Sequence, residues 1–243
     1  MFSLYKKEVQ CYFYSPFAYV VCALFMLIFS LALTNGISGM NSNTLKFSFP
    51  EIFYNNFFYF IFLIPALTMR TFAEERKGGT EVLLMSSPLR VTSIVLAKFL
   101  AVTTVFLLML VCSLFYPLVA FLSGGVIWST LISGYLGFFL WGMLCISIGV
   151  FISSLTDNPI IAAVLGEGAM IILLFVDNII DSELVQSTEW LRNTMNWLST
   201  QQRFIPFSQG LFRIQDLVFF LTITVMFLAW TVIATEKRRW SRG

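Results

Sequence analysis

The sequence predicts an all-α polytopic membrane protein with six transmembrane helices, and three observations predict it. Of 243 residues, 58% are apolar and 12% charged, with a mean hydropathy of +0.84, a composition outside the soluble globular range. Long apolar stretches almost free of charge recur at 17–34, 53–70, 99–122, 129–153, 159–176 and 217–235. Roughly 20 apolar residues cross a bilayer core of about 30 Å as a helix, whereas barrel strands are about half that length, so these stretches read as helices. The cations supply the third observation, because Lys and Arg in short loops stay on the cytoplasmic side. With the N-terminus inside, eleven of them (Lys6, Lys7, Arg70, Arg76, Lys77, Arg90, Lys98, Lys237, Arg238, Arg239 and Arg242) are cytoplasmic, and only Lys46, Arg192, Arg203 and Arg213 lie outside. The net charge of +2 therefore reports topology, and no nucleic-acid partner is expected.

Taken in order, residues 1–15 carry Phe2, Tyr5, Val9 and Tyr12 at helical spacing, with Lys6, Lys7 and Glu8 off that stripe. This reads as an interfacial amphipathic helix ended by Ser15-Pro16, or as a frayed terminus with aromatic anchors. The span at 17–34 is long and is followed by no small-x-small cleavage site, so it is read as retained rather than as a signal peptide. The loop at 35–52 is polar and carries no chemistry. The span at 53–70 is expected to continue as a helix past Pro65 and Arg70, through Glu74, Glu75 and Arg76, until Gly78-Gly79 breaks it. The third and fourth spans share one charge-free run, 99–156, divided by the turn chemistry of Ser123-Gly124-Gly125. In the outer segment, 178–215, Leu184, Thr188, Leu191, Met195 and Leu198 repeat at three-to-four spacing near Trp190 and Trp197. That spacing predicts a helix at the outer face, resting on the membrane or capping a cavity between spans, with Pro206 and Gly210 breaking it before the last crossing. Residues 1–243 thus form one membrane domain.

Several chemistries are missing. The chain has no histidine, hence no imidazole base or ligand, and no GxxxxGK[ST] loop to cradle a nucleotide. Asp157, Asp177 and Asp181 stand at span ends rather than as a membrane-embedded pair. Cys11, Cys22, Cys112 and Cys145 show no CxxC or metal spacing and read as packing residues, so neither a metal nor a cofactor is expected in this chain. One ionisable group lies inside a span: Glu167, between Gly166 and Gly168. It reads either as a polar contact for cargo or a proton-linked group, or as a neutral carboxyl bonded across a packing face that the two glycines open.

The densest charge is in the cytoplasmic insert FAEERKGGTEVLLMSSPLR, residues 72–90. Thr80 suits an N-cap and Glu81 a helix N-terminus, while Val82, Leu83, Leu84 and Met85 supply apolar knobs before Ser86-Ser87-Pro88 ends the turn. The residues alone read as a docking peg or as an amphipathic turn on lipid. The order Glu74-Glu75-Arg76, Gly79-Thr80, Leu83-Leu84, Ser87-Pro88 resembles the loop between the second and third spans of type-2 ABC exporter permeases. The stretches 206–220 and 236–240 are similar to the ends of the gliding-motility and nitrous-oxide-reductase-maturation branch.

That resemblance implies a non-catalytic permease subunit in a bacterial cytoplasmic membrane, with both termini inside. A second copy or a related permease would stand beside it, and each would sit on a cytoplasmic ATPase that binds ATP and Mg. Residues 80–87 would be the coupling helix, with Glu81 at its start. Glu74, Glu75 and Arg76 would form a charged lever, and Trp190 and Trp197 would lie on an outer gate. Substrate export and mechanical transmission both fit, and the alternative outside this family is a secondary transporter or channel using Glu167.

Overall fold

A computed structural model describes residues 1–39, 60–81, 84, 89–123, 128–180, 189–190, 197 and 199–241, and among these all regular structure is helical. The helices are α1 (Phe2–Tyr14), α2 (Pro16–Gly39), α3 (Phe60–Thr68), α4 (Ala73–Lys77), α5 (Val91–Ser113), α6 (Phe115–Ser123), α7 (Trp128–Leu155), α8 (Pro159–Ile180), α9 (Thr200–Ser208) and α10 (Ile214–Ser241). Four stretches, Val91–Val119, Trp128–Leu155, Pro159–Val176 and Ile214–Arg239, are long and apolar enough to cross a membrane. The pair Phe2–Tyr14 and Pro16–Leu31, bent by 71°, makes a fifth if counted as one span. The first part of the 53–70 stretch, the loop from residue 40, the Gly124-Gly125 turn and the stripe of Leu184, Thr188, Leu191, Met195 and Leu198 lie outside the described residues.

Small residues decide where the helices meet. Without an oil-to-water driving force between spans, close backbone approach is what holds membrane helices together. α7 supplies it, packing against α3, α5, α8, α9 and α10. A Cβ at Gly137 would stand 2.7 Å from Phe207 Cβ on α9, one at Gly142 would enter the Phe106 ring on α5, and one at Gly149 would strike the Thr68 hydroxyl on α3. The apolar windows of α5 and α7 are accordingly 67% and 72% buried, against 22% for α8 and α10, which form the outside of the bundle. Gly149→Ala should therefore lower stability by about 1–3 kcal/mol through overpacking, read as a lower thermal midpoint in detergent. Gly168→Ala, inside α8 where a Cβ meets nothing within 4 Å, should not lower the midpoint and should raise it slightly.

Four local expectations are corrected. The helix expected to run from the second span through Arg76 stops at Thr68, and α4 is separate. Pro65 removes one backbone donor, the Thr68 hydroxyl donates to Ile64 O at 2.9 Å, and Thr71 donates to Thr68 O at 2.8 Å. Ser153 of α7 then satisfies the opened backbone: its hydroxyl accepts from Phe72 N (3.1 Å) and Ala73 N (3.2 Å) and donates to Met69 O (3.2 Å).

The inward row of α1 is Leu4, Glu8 and Tyr12 rather than the aromatic stripe, and Phe2 is 77% exposed. Glu8 turns inward because a cation waits there. α5 begins at Val91, ahead of the apolar run, so Lys98 falls within the helix. Pro206 does not break a helix but lies inside α9, whose end is set by Gly210 at φ +84°. Gly210 N donates to Phe207 O (3.2 Å) and Leu211 N to Pro206 O (2.9 Å), the paired bonds of a Schellman end that needs a left-handed residue.

Candidate functional site

The fold gives the three adjacent charges Glu74, Glu75 and Arg76 different places, two in ties to other helices and one facing solvent. α4 is a single turn that no apolar stripe would hold by itself. It closes with a second Schellman end, in which Gly79 (φ +71°) donates to Arg76 O at 3.1 Å and Thr80 N donates to Glu75 O at 3.0 Å. A left-handed residue is needed there, which is why glycine precedes Thr80. The Thr80 hydroxyl donates back to Glu75 O at 3.2 Å, while Thr80 O accepts from Leu84 N at 3.3 Å, as the carbonyl at a helix start does. Leu84 packs half-buried against the core. Leu83, Ser87 and Pro88 lie outside the described residues.

Arg76 makes the first tie. Its side chain is 2% exposed and its Nε donates to Glu81 Oε1 at 2.9 Å. Nη1 donates to Ser154 O and, at 3.1 Å, to Thr156 O, and Asp157 Oδ1 lies 3.9 Å away. Those carbonyls end α7, where the backbone has no helical donors left and the macrodipole favours a cation. From the opposite side, Arg238 of α10 donates to Asp157 Oδ1 at 2.7 Å and to Leu155 O at 2.6 Å. Two arginines from distant parts of the chain thus cap one helix end. Burial pulls the Arg76 guanidinium below its ordinary value, and the Glu81 carboxylate pushes it back up. Arg76 Nη2 is buried with no hydrogen-bond partner among the described residues.

Lys98 makes the second tie. Its side chain is 1% exposed, 3.2 Å from Glu8 Oε1 of α1 and 2.9 Å from Glu75 Oε2 of α4. The latter is an ion pair whose angle falls short of a hydrogen bond. The ammonium also lies 5.2 Å above the Phe72 ring. Tyr12 donates to Leu67 O at 2.8 Å and Tyr5 meets the Thr104 hydroxyl at 2.8 Å, so α1 is fastened to α3, α4 and α5. Burial pushes the Tyr12 phenol well above its ordinary value, keeping it a neutral donor.

Glu74, by contrast, has a side chain 59% exposed and a loose 3.9 Å contact with Arg70. The three acidic and basic residues of one sequence motif therefore do different things. Glu167 sits half-buried on α8, apart from this cluster; the adjacent Gly166 is the packing contact, where a Cβ would stand 3.0 Å from Pro65 Cβ. Trp190 and Trp197 are helical and 68% and 61% exposed. Beneath Trp197, whose ring meets Phe219 edge-on at 5.5 Å, Arg203 donates to Asp216 Oδ1 at 3.1 Å and lies 4.0 Å over Phe219, pinning α9 to the start of α10.

Sequence reasoning misses Glu8, Lys98, Ser153, Ser154 and Arg238. Lys98 and Arg238 count there only as topology markers, although a lysine eight residues into a helix that starts straight after Pro88-Leu89-Arg90 is a signal of a buried cation.

A family model described as ABC-2 family transporter protein matches residues 34–235. No curated protein matches the chain.

Proposed function

The chain belongs to the ABC-2 family of transporter proteins and is the permease, the membrane component of an ABC transporter, and from this we propose that its charged insert is the surface through which a separate ATPase drives it. The family match across most of the chain carries the reading. Permeases of this family are non-catalytic, and ABC permeases in general pair with ATPase subunits. The finer reading is a six-span subunit of a bacterial plasma membrane with both termini in the cytoplasm. ATP and Mg are held by the partner, and a second permease, a copy or a relative, stands alongside. The similarity of 206–220 and 236–240 to the gliding-motility and nitrous-oxide-reductase-maturation permeases supports that branch.

On this reading, residues 80–87 dock in a groove on the ATPase. Movement there passes along two rigid routes, through Arg76 into the end of α7 and through Glu75 and Lys98 into α1 and α5. Rigid ties suit this task because a packed interface transmits a displacement rather than absorbing it. Glu74, exposed at the edge of α4, is free to meet the partner. The outer face around Trp190 and Trp197 is where the opposite gate is placed, and either export or mechanical transmission follows.

Affinity purification of the tagged chain in mild detergent is expected to recover a P-loop ATPase in stoichiometric amount. A second permease species in the same fraction would identify a heterodimer. Glu74→Cys should crosslink to that ATPase with a yield that changes on adding nucleotide. A folded chain that emerges without an ATPase would remove the docking assignment.

A further inference from the structure

A cavity of about 520 Å³ opens between α1, the turn after α3 and the base of α2. Its walls carry both signs of charge, Lys7 and Arg70 against Glu74 and Glu75, over a floor of Tyr12 and Phe17. The charges at its rim pair with each other only loosely. Lys7 lies 3.9 Å from Glu75 and Arg70 lies 3.9 Å from Glu74, whereas the buried Lys98 pairs close to 2.9 and 3.2 Å. The side chains of Lys7 and Glu74 are 61% and 59% exposed, so each can turn to a ligand at little cost. Arg70 is held in place, donating to the Ser15 hydroxyl at 3.2 Å and lying 4.2 Å over the Phe17 ring.

The surroundings say what kind of ligand this is. Phe17 is in the first turn of α2, and on the same face of that helix Val20, Leu24, Leu27 and Leu31 follow, each at least 50% exposed. A polar chamber with loosely paired charges thus opens at Phe17 onto an apolar track along α2. We propose that this cavity binds one zwitterionic phospholipid of the phosphoethanolamine class, its phosphate against Lys7 and Arg70, its ammonium against Glu74, and its acyl chains along α2. An anionic lipid matches only half of the wall, since the carboxylates repel it. A soluble phosphate ester leaves the track on α2 uncovered. The headgroup then lies between α1 and α4, where it bridges the interfacial helix and the insert.

The purified full-length chain, stripped of lipid in detergent, is titrated with dimyristoyl phosphatidylethanolamine or dimyristoyl phosphatidylglycerol, and bound lipid is counted by native mass spectrometry. One phosphatidylethanolamine per chain is expected to bind at least tenfold more tightly than phosphatidylglycerol. The Lys7→Gln/Glu74→Gln variant should bring its binding down to the phosphatidylglycerol level with an unchanged thermal midpoint. Cys11, exposed on the cavity wall, reports the location. In a Cys22→Ser/Cys112→Ser background, its reaction with a maleimide should slow severalfold when phosphatidylethanolamine is bound. Equal binding of the two lipids, a double variant that binds like the parent, or an unchanged Cys11 rate with lipid bound would each overturn the proposal. Displacement by glycerophosphoethanolamine at concentrations equal to the lipid would assign the site to a soluble ester and overturn it as well.

Discussion

Arg76→Met is expected to destabilise the chain by about 3–5 kcal/mol, the cost of removing one partner from a buried ion pair, and to abolish ATP-driven transport in the assembled complex. The loss is large because the guanidinium serves several groups at once. Without it Glu81, 6% exposed, loses the guanidinium that lies 2.9 Å from its carboxylate, and Ser154 O and Thr156 O at the end of α7 lose their donor. A second variant separates folding from function. Arg76→Met/Glu81→Leu removes both charges, and replacing a buried pair by apolar groups of similar volume is often near neutral. The thermal midpoint should therefore recover most of the way, while transport stays lost and basal ATPase activity of the complex persists. Recovery of transport together with stability would mean that Arg76 only holds the fold and transmits nothing.

That separation also explains what could and could not be read from residues in a row. Long apolar helices are legible because span length is imposed by the bilayer and leaves a mark in one dimension. Local backbone chemistry is legible in part: Gly79 before Thr80 marks a left-handed position, and Gly210 does the same. The roles of Glu75 and Arg76 are not, because adjacent positions on one turn look equivalent until a neighbour picks one. Arg76 is chosen by the carbonyls ending α7 and Glu75 by Lys98, each more than twenty residues away along the chain. The continuation of the second span failed as an expectation for a similar reason. Propensity favours a helix through 69–72, but Ser153, eighty residues on, offers the backbone partners that make the break affordable.

Lys98→Met is expected to lower stability by a comparable amount, about 3–5 kcal/mol by the same argument of an uncompensated buried charge, and to release α1. Two carboxylates converge on this ammonium from different helices, Glu8 of α1 and Glu75 of α4, and its removal leaves them facing each other without a cation between. Like charges gathered on one cavity wall repel when no cation stands between them. α1 then keeps the hydrogen bonds of Tyr5 and Tyr12, the loose Lys7–Glu75 contact and the Arg70–Ser15 bond at its end, so it should exchange amide hydrogens faster while α7 stays protected. Neutralising all three positions, with Glu8→Gln, Glu75→Gln and Lys98→Met together, should restore most of the midpoint. If protection of α1 returns in the triple variant and transport does not, the cation's work lies in conveying motion from the insert to α1 and α5. If transport returns as well, packing of α1 is sufficient and the Glu75–Lys98 route carries no signal. Conservative Lys98→Arg should fail to replace the lysine, because a planar guanidinium beneath Phe72 needs space that the ammonium, 5.2 Å from the ring centre, does not take.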